Sequence, residues 1–136
     1  MTVVVDTSFV LALYDADDVN HAAATAWLLV SDEDLITTPL TLAELDYLIG
    51  AHGGEAARGG FWLDLDSGAF GVRWWAGALA EILGITRRHP FLGLTDCSLV
   101  ALSGLLRTTR IATFDQHFRS VPPPGGEAFV VLPADA

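Results

Sequence analysis

The sequence predicts a single α/β domain of three layers over residues 1–136, in which helices flank a five-stranded, mostly parallel sheet. Short apolar runs rich in β-branched residues alternate with stretches of helical length, which is typical of this fold class. The run from Val3 to Val5 is apolar throughout, as in a central parallel strand that is buried on both faces. The chain shows no repeat and no linker, and its length suits one domain.

Residues that favour helix ends and turns mark the elements between these runs. Asn20 is suited to cap a helix that begins at His21, and Pro39 favours the first turn of a helix that ends near Gly50 or Gly53. The predicted strands cover residues 3–5, 35–38, 69–74, 110–113 and 128–132. The predicted helices cover residues 9–14, 21–30, 39–49, 55–65, 75–85, 94–106 and 114–118.

The composition is strongly acidic and bears on the class of partner. The chain has 17 acidic residues against 7 basic ones, all of them arginine, for a formal net charge of -10. Such a charge disfavours non-specific binding to a polyanion. Two interpretations stay open: divalent cations neutralise a nucleic acid at the site, or the partner is a basic protein.

The sequence carries no signal for secretion or for a membrane. No basic leader precedes the first apolar run, and no run approaches the ~18 apolar residues of a membrane span. The single Cys97 cannot form an internal disulfide and is expected to be a thiol of the core. We therefore expect a cytoplasmic protein with no membrane partner.

Two predicted strands end on an aspartate. Asp6 directly follows the first strand, and Asp115 follows the run that ends at Phe114. In open α/β sheets, ligands bind at the carboxyl edge of the strands, so both side chains are candidates for one site. The competing interpretation is that each aspartate only caps the helix after it.

Two further acids lie in predicted helices. Glu44 lies on a largely apolar stripe, where an unpaired carboxylate is unusual, but Thr41-x-x-Glu44 also has the pattern of a capping box. Asp96 lies in the first turn of an apolar helix, where it would also stabilise the helix dipole.

All four acids are expected at one edge of the sheet. Two carboxylates ~4 Å apart repel by roughly 4 kcal/mol at an effective dielectric constant near 20, which a cation would compensate. Carboxylate ligands without a zinc-type set of Cys and His suit Mg²⁺ or Mn²⁺. The four histidines are scattered along the chain and are expected at the surface or in loops.

Four motifs in order along the chain carry a family resemblance: Asp6-Thr7-Ser8, Thr41-x-x-Glu44, Leu94-Thr95-Asp96 and Ala112-Thr113-Phe114-Asp115. The chain resembles a PIN-domain ribonuclease, more narrowly a VapC-type toxin of a toxin–antitoxin pair. The resemblance implies a PIN-like fold and cleavage of RNA through water activated by Mg²⁺ or Mn²⁺. It implies catalytic and metal-binding roles for Asp6, Glu44, Asp96 and Asp115, and supporting roles for the hydroxyls of Thr7, Ser8 and Thr113.

The resemblance also implies partners for the chain. They are an RNA substrate, a cognate antitoxin protein and a second copy of the chain in a homodimer. One departure from the family is Gln116, where relatives often carry a basic residue. The alternative function is a catalytically idle PIN-like binding module, which the four intact acids disfavour. The candidate phosphate contacts are Arg87, Arg88, Arg107, Arg110 and Arg119.

Overall fold

The computed structural model describes residues 1–136 as five strands, six α-helices and one 3₁₀-helix. None of its helices combines the length and the apolar character that a membrane span requires. The strands are β1 (Thr2–Val5), β2 (Asp34–Thr37), β3 (Gly71–Val72), β4 (Arg110–Ala112) and β5 (Val130–Leu132). The helices are α1 (Thr7–Tyr14), α2 (His21–Val30), α3 (Pro39–Gly53), α4 (Glu55–Asp66), α5 (Ala78–Arg88), α6 (Leu94–Leu106) and a 3₁₀-helix (Gln116–Ser120).

The five strands form one sheet in the order β3-β2-β1-β4-β5, and every neighbouring pair is parallel. The predicted five-stranded sheet flanked by helices is confirmed. The central strand β1 pairs with β2 on one side and with β4 on the other. Because these strands are parallel, their carboxyl ends meet at one edge, where the Asp6 amide donates to the Ala112 carbonyl at 3.0 Å.

The alternating side chains of β1 divide the core into two layers. Val3 and Val5 belong to a cluster with residues of α1 to α4, whereas Val4 belongs to a cluster with residues of α5 and α6. All three valines are fully buried, as their uninterrupted apolar run predicts. The sheet therefore separates two helical layers, and Cys97 lies fully buried in one of them as predicted.

The segment around residue 70 departs from the prediction. The predicted strand 69–74 is confined to Gly71–Val72, because it is an edge strand that pairs only with Ile36 and Thr37. Beyond it, the chain leaves the sheet, and Trp74 is exposed. Apolar and aromatic residues suggested a longer strand, but pairing and burial determine where a strand ends.

Several helix bounds also differ from the prediction. The predicted helix 75–85 begins only at Ala78, after Gly77 with φ 82°, and continues to Arg88 before His89 and Pro90 end it. Helix α3 extends to the second of its two predicted ends and is followed by Gly54 with φ 89°. The predicted helix 114–118 is a 3₁₀-helix over residues 116–120, and the strand predicted over 128–132 covers only its last three residues.

Candidate active site

A cleft of about 390 Å³ opens at the carboxyl edge of the sheet. Asp6 reaches it from the end of β1, Glu44 from α3, Asp96 from the first turn of α6, and Asp115 from the segment after β4. No arginine lines the cleft. The structure thus brings together all four acids singled out in the sequence, and their chemical roles stay a prediction.

Asp6 is the most deeply buried of the four acids, with 3% of its surface exposed. Its Oδ2 accepts hydrogen bonds from Ser8 Oγ at 2.8 Å and from Thr113 Oγ1 at 2.6 Å. Ser8 Oγ in turn accepts a hydrogen bond from the Phe114 amide, and Thr113 Oγ1 accepts one from the Asp115 amide. The single proton of each hydroxyl is therefore directed to Asp6. Asp6 occupies the N-cap position of α1, but its side chain makes no capping hydrogen bond there.

Burial and repulsion perturb two of the acids. Burial raises the pKa of Asp6 above its ordinary value, although the hydroxyls of Thr113 and Ser8 oppose this shift. Burial, followed by the charges of the other three acids, raises the pKa of Asp96 to about 7. Both shifts have the direction expected for carboxylates that lack a compensating cation. The charges of the other three acids therefore all act on Asp96.

The capping interpretations of Glu44 and Asp115 have opposite outcomes. Because α3 begins at Pro39, Thr41 lies inside the helix and the predicted capping box is wrong. Glu44 is exposed and lines the cleft. Asp115 does cap the 3₁₀-helix, since its Oδ1 accepts the His117 amide at 2.8 Å. At Asp115, a capping bond and a place in the cleft coexist.

His117 is a candidate site residue that the sequence analysis missed. Its Nδ1 lies 3.2 Å from Asp115 Oδ1. One potential ligand atom each from Asp96, Asp115 and His117 lie within 4.8 Å of one another. The available signal was the spacing Asp115-x-His117 directly after a strand, because the first turn of a helix there brings the two side chains together.

The residues of the cleft fit a divalent cation. Carboxylate oxygens dominate the set of potential ligands, and one imidazole nitrogen joins them, a combination found at hard and borderline cations. Thr7 Oγ1, in the wall of the cleft, is buried without a hydrogen-bond partner. Unsatisfied buried polar groups are uncommon in native proteins and indicate a missing ligand or water.

The predicted phosphate contacts fall into two groups. Arg110 lies at the amino edge of the sheet, where both oxygens of Glu33 bind it, and Arg119 pairs with Asp135 at 2.8 Å. Two of the five arginines predicted to contact RNA phosphates are therefore already paired with a carboxylate. The arginines without a carboxylate partner are Arg73, Arg87, Arg88 and Arg107.

The sheet order and the acidic cleft together define a class of α/β domain in which strand-end carboxylates form one site at the carboxyl edge. The sequence matches the family model for the PIN domain over residues 3–123. The chain belongs to the PIN-domain family and, within it, to the VapC type.

Relatives from Mycobacterium tuberculosis support this assignment. Ribonuclease VapC26 is 32% identical over 134 residues, which cover 96% of this chain and 99% of that protein. Ribonuclease VapC29 is 39% identical over 57 residues, or 42% of this chain and 43% of that protein. The crystal structure of VapC20, described as a Sarcin-Ricin loop cleaving toxin, matches 93% of this chain and 97% of its own with a TM-score of 0.80. At 21% identity, this last match shows a shared fold.

Proposed function

We propose that the protein is a Mg²⁺- or Mn²⁺-dependent endoribonuclease and the toxin of a toxin–antitoxin pair. The observation that carries the proposal is the single cleft in which Asp6, Glu44, Asp96 and Asp115 meet without an arginine. Like charges in one cleft repel, and a cation that enters the cleft would relieve this repulsion. The relative VapC26, which is named a ribonuclease and aligns over nearly the whole chain, supports RNA as the substrate.

The four acids, His117 and two hydroxyls each have a definable task in this proposal. The four acids would hold the cation, with His117 as an additional ligand. The chemistry supplied by bound Mg²⁺ or Mn²⁺ is a lowered pKa of water and neutralisation of phosphate charge. Ser8 and Thr113 are positioning residues, because their hydroxyls fix the carboxylate of Asp6.

Neither Cys97 nor Ser8 is prepared to act as a covalent nucleophile. Cys97 is fully buried, and burial raises the pKa of its thiol. Ser8 donates its proton to the carboxylate of Asp6 and not to a histidine base. These residues therefore favour direct hydrolysis of the phosphodiester by water over a covalent intermediate.

The proposal includes a cognate antitoxin, a homodimer and the cytoplasm as the place where the RNA is met. On helices α2 to α4, four large side chains with apolar surface are between 70% and 85% exposed and offer contact surface to a partner. Light scattering and co-purification with the protein encoded beside it would check both assemblies. A strict monomer that captures no such partner would contradict this part of the proposal. The four side chains are Leu29, Val30, Tyr47 and Leu63.

The test of the proposed activity is cleavage of cellular RNA, with the new RNA ends identified by sequencing. We expect discrete cuts in Mg²⁺ or Mn²⁺, no cuts in excess chelator, and a loss of at least 100-fold in Asp96→Asn, as expected when charge stabilisation at the reacting phosphate is removed. The matched control is Asp32→Asn, an exposed acid outside the cleft, which should cleave like the parent.

Two outcomes would contradict the proposed activity. Full cleavage in chelator would exclude a role for the cation. RNA binding without cleavage under every metal condition would instead favour the idle binding module.

A further inference from the structure

A turn near the cleft carries an exposed aromatic ring that has no role in the proposed hydrolysis. Residues His89 to Leu92 form a turn that is closed by a hydrogen bond of 3.0 Å from the Leu92 amide to the His89 carbonyl. Pro90 occupies the second position of the turn, where its fixed φ is favourable. Leu92 is buried in the core, whereas Phe91 is 52% exposed. The turn therefore fixes the backbone that presents a half-exposed aromatic ring to solvent.

This ring lies next to the acids. The Phe91 ring contacts the His117 ring at 6.0 Å between centroids and the His89 ring at 6.0 Å, both at nearly right angles. His117 Nδ1 is in turn 3.2 Å from Asp115 in the cleft. A continuous path of contacts thus joins the acidic cleft to the exposed ring. Both contacts are perpendicular, and about half of the Phe91 surface stays exposed and accessible to a ligand.

Unpaired positive charge lies directly before the turn. Arg87 and Arg88 form the end of α5 and are exposed without a carboxylate partner. In a chain of net charge -10, only four arginines lack a carboxylate partner, and two of these four directly precede His89. Guanidinium groups bind phosphate oxygens, and aromatic rings bind bases.

We propose that Phe91 is a stacking platform for one unpaired base of the RNA, beside the phosphodiester that is cut. The inference rests on the proposed function and adds to it one named contact between the protein and an unpaired base. In a duplex, each base is already stacked between its neighbours and cannot reach an external ring. Single-stranded RNA is bound by aromatic stacking combined with cationic contacts to its backbone, and a preorganised ring reduces the entropy lost on binding.

The test places 2-aminopurine at successive positions around the cleaved bond of a short RNA, bound in Mg²⁺ to the inactive Asp96→Asn protein. We expect fluorescence quenching at one position next to the bond. The quenching should be lost when Phe91→Ala is added, and kept with Phe91→Tyr, which retains a ring in the same turn.

Kinetics in the otherwise unaltered protein give the second measurement. Phe91→Ala should raise KM for the same RNA by about 5- to 100-fold, the range expected for loss of one stacked base, and Phe91→Tyr should restore it. The matched control is Trp62→Ala on α4, since this ring is 47% exposed, similar to Phe91, but contacts Arg58 and Asp46 and not His117. Its KM should stay unchanged.

Each contrary result has a distinct meaning. An unchanged KM and unchanged quenching in Phe91→Ala would overturn the platform, and cleavage by the parent protein would leave the proposed function intact. Equal cleavage of the same sequence in duplex form would also overturn it. Loss of the dimer or of the antitoxin complex in Phe91→Ala, with unaltered cleavage, would also overturn the platform and would indicate that the turn is a protein interface. Absence of any RNA cleavage by the parent protein would overturn the proposed function together with the platform.

Discussion

Buried carboxylate side chains at the two edges of the sheet differ in whether an arginine pairs with them. At the amino edge, the side chain of Glu33 is 8% exposed, and Arg110 binds both of its oxygens. At the carboxyl edge, Asp6 is buried but meets three more acids and no arginine. The charge at the amino edge is compensated by an arginine of the chain, whereas no arginine lines the cleft at the carboxyl edge.

The contrast shows how the chain can orient a buried charge without neutralising it. Ser8 and Thr113 hold the carboxylate of Asp6 in place, but neutral hydroxyls leave its charge intact. Arg110 instead cancels the charge of Glu33. A site for a cation needs the first arrangement, and a structural ion pair needs the second.

The largest effect on stability is expected at the amino edge. Glu33→Gln should lower the free energy of unfolding by roughly 1–3 kcal/mol, because it removes the partner of a partly buried guanidinium. The matched control is Arg119→Met, which breaks an exposed ion pair and should change stability little. Urea unfolding would measure both, and equal losses would show that burial of the pair is unimportant.

At the carboxyl edge, the same kind of substitution should have the opposite sign. In chelator at pH 7.5, Asp96→Asn should raise the free energy of unfolding by roughly 1–2 kcal/mol, because one of four repelling charges is removed from a partly exposed position. The substitution should also weaken the stabilisation conferred by Mg²⁺. Thermal melting with and without Mg²⁺ checks this. Equal destabilisation in both conditions would contradict a shared cation site.

The pH dependence of the metal-free protein should follow from the same residue. The pKa of Asp96 is about 7 in the folded chain and ordinarily 3.8, so the folded chain binds the proton more tightly. Stability should therefore rise by about 1 kcal/mol as the pH falls from 7.5 to 5.5, after allowance for solvent screening. Asp96→Asn should flatten this slope, and the raised pKa of Asp6 would account for any remainder. Stability that falls over this range would contradict the prediction.

The smallest effect concerns two buried hydroxyls. Thr7 Oγ1 and Thr41 Oγ1 both lack a hydrogen-bond partner, so replacing either residue with valine should raise metal-free stability by about 0.5–1 kcal/mol. Only Thr7 lines the cleft, so only Thr7→Val should weaken binding of Mn²⁺, measured by calorimetry. Equal metal affinity in the two variants would mean that the Thr7 hydroxyl takes no part in the site.

Much of the fold and most of the acidic site could be predicted from local patterns. The apolar run before Asp6 fixes both a buried strand and the position of its carboxylate, since strand and acid are consecutive in the chain. Asp115 lies three residues beyond β4, so the predicted strand also determines the approximate position of this acid. Parallel strands share a carboxyl edge, so predicting the sheet also predicted where these two acids meet.

Local patterns failed where contact with distant residues determines the outcome. The edge strand β3 is shorter than its apolar and aromatic sequence suggests, because only two of its residues find partners in β2. The Thr41–Glu44 spacing resembled a cap, but the helix had already begun at Pro39. His117 looked like one of several scattered histidines until the fold placed it beside Asp96.

The sequence by itself determined that this chain forms a parallel α/β sheet with acids at the ends of β1 and β4, because strand pattern and strand-end residue are neighbours in the chain. Only the tertiary structure decided which charges are compensated. Arg110 reaches Glu33 across 77 positions, and Thr113 reaches Asp6 across 107. Pairings at such separations depend on how the strands are ordered and packed, and no local pattern encodes them.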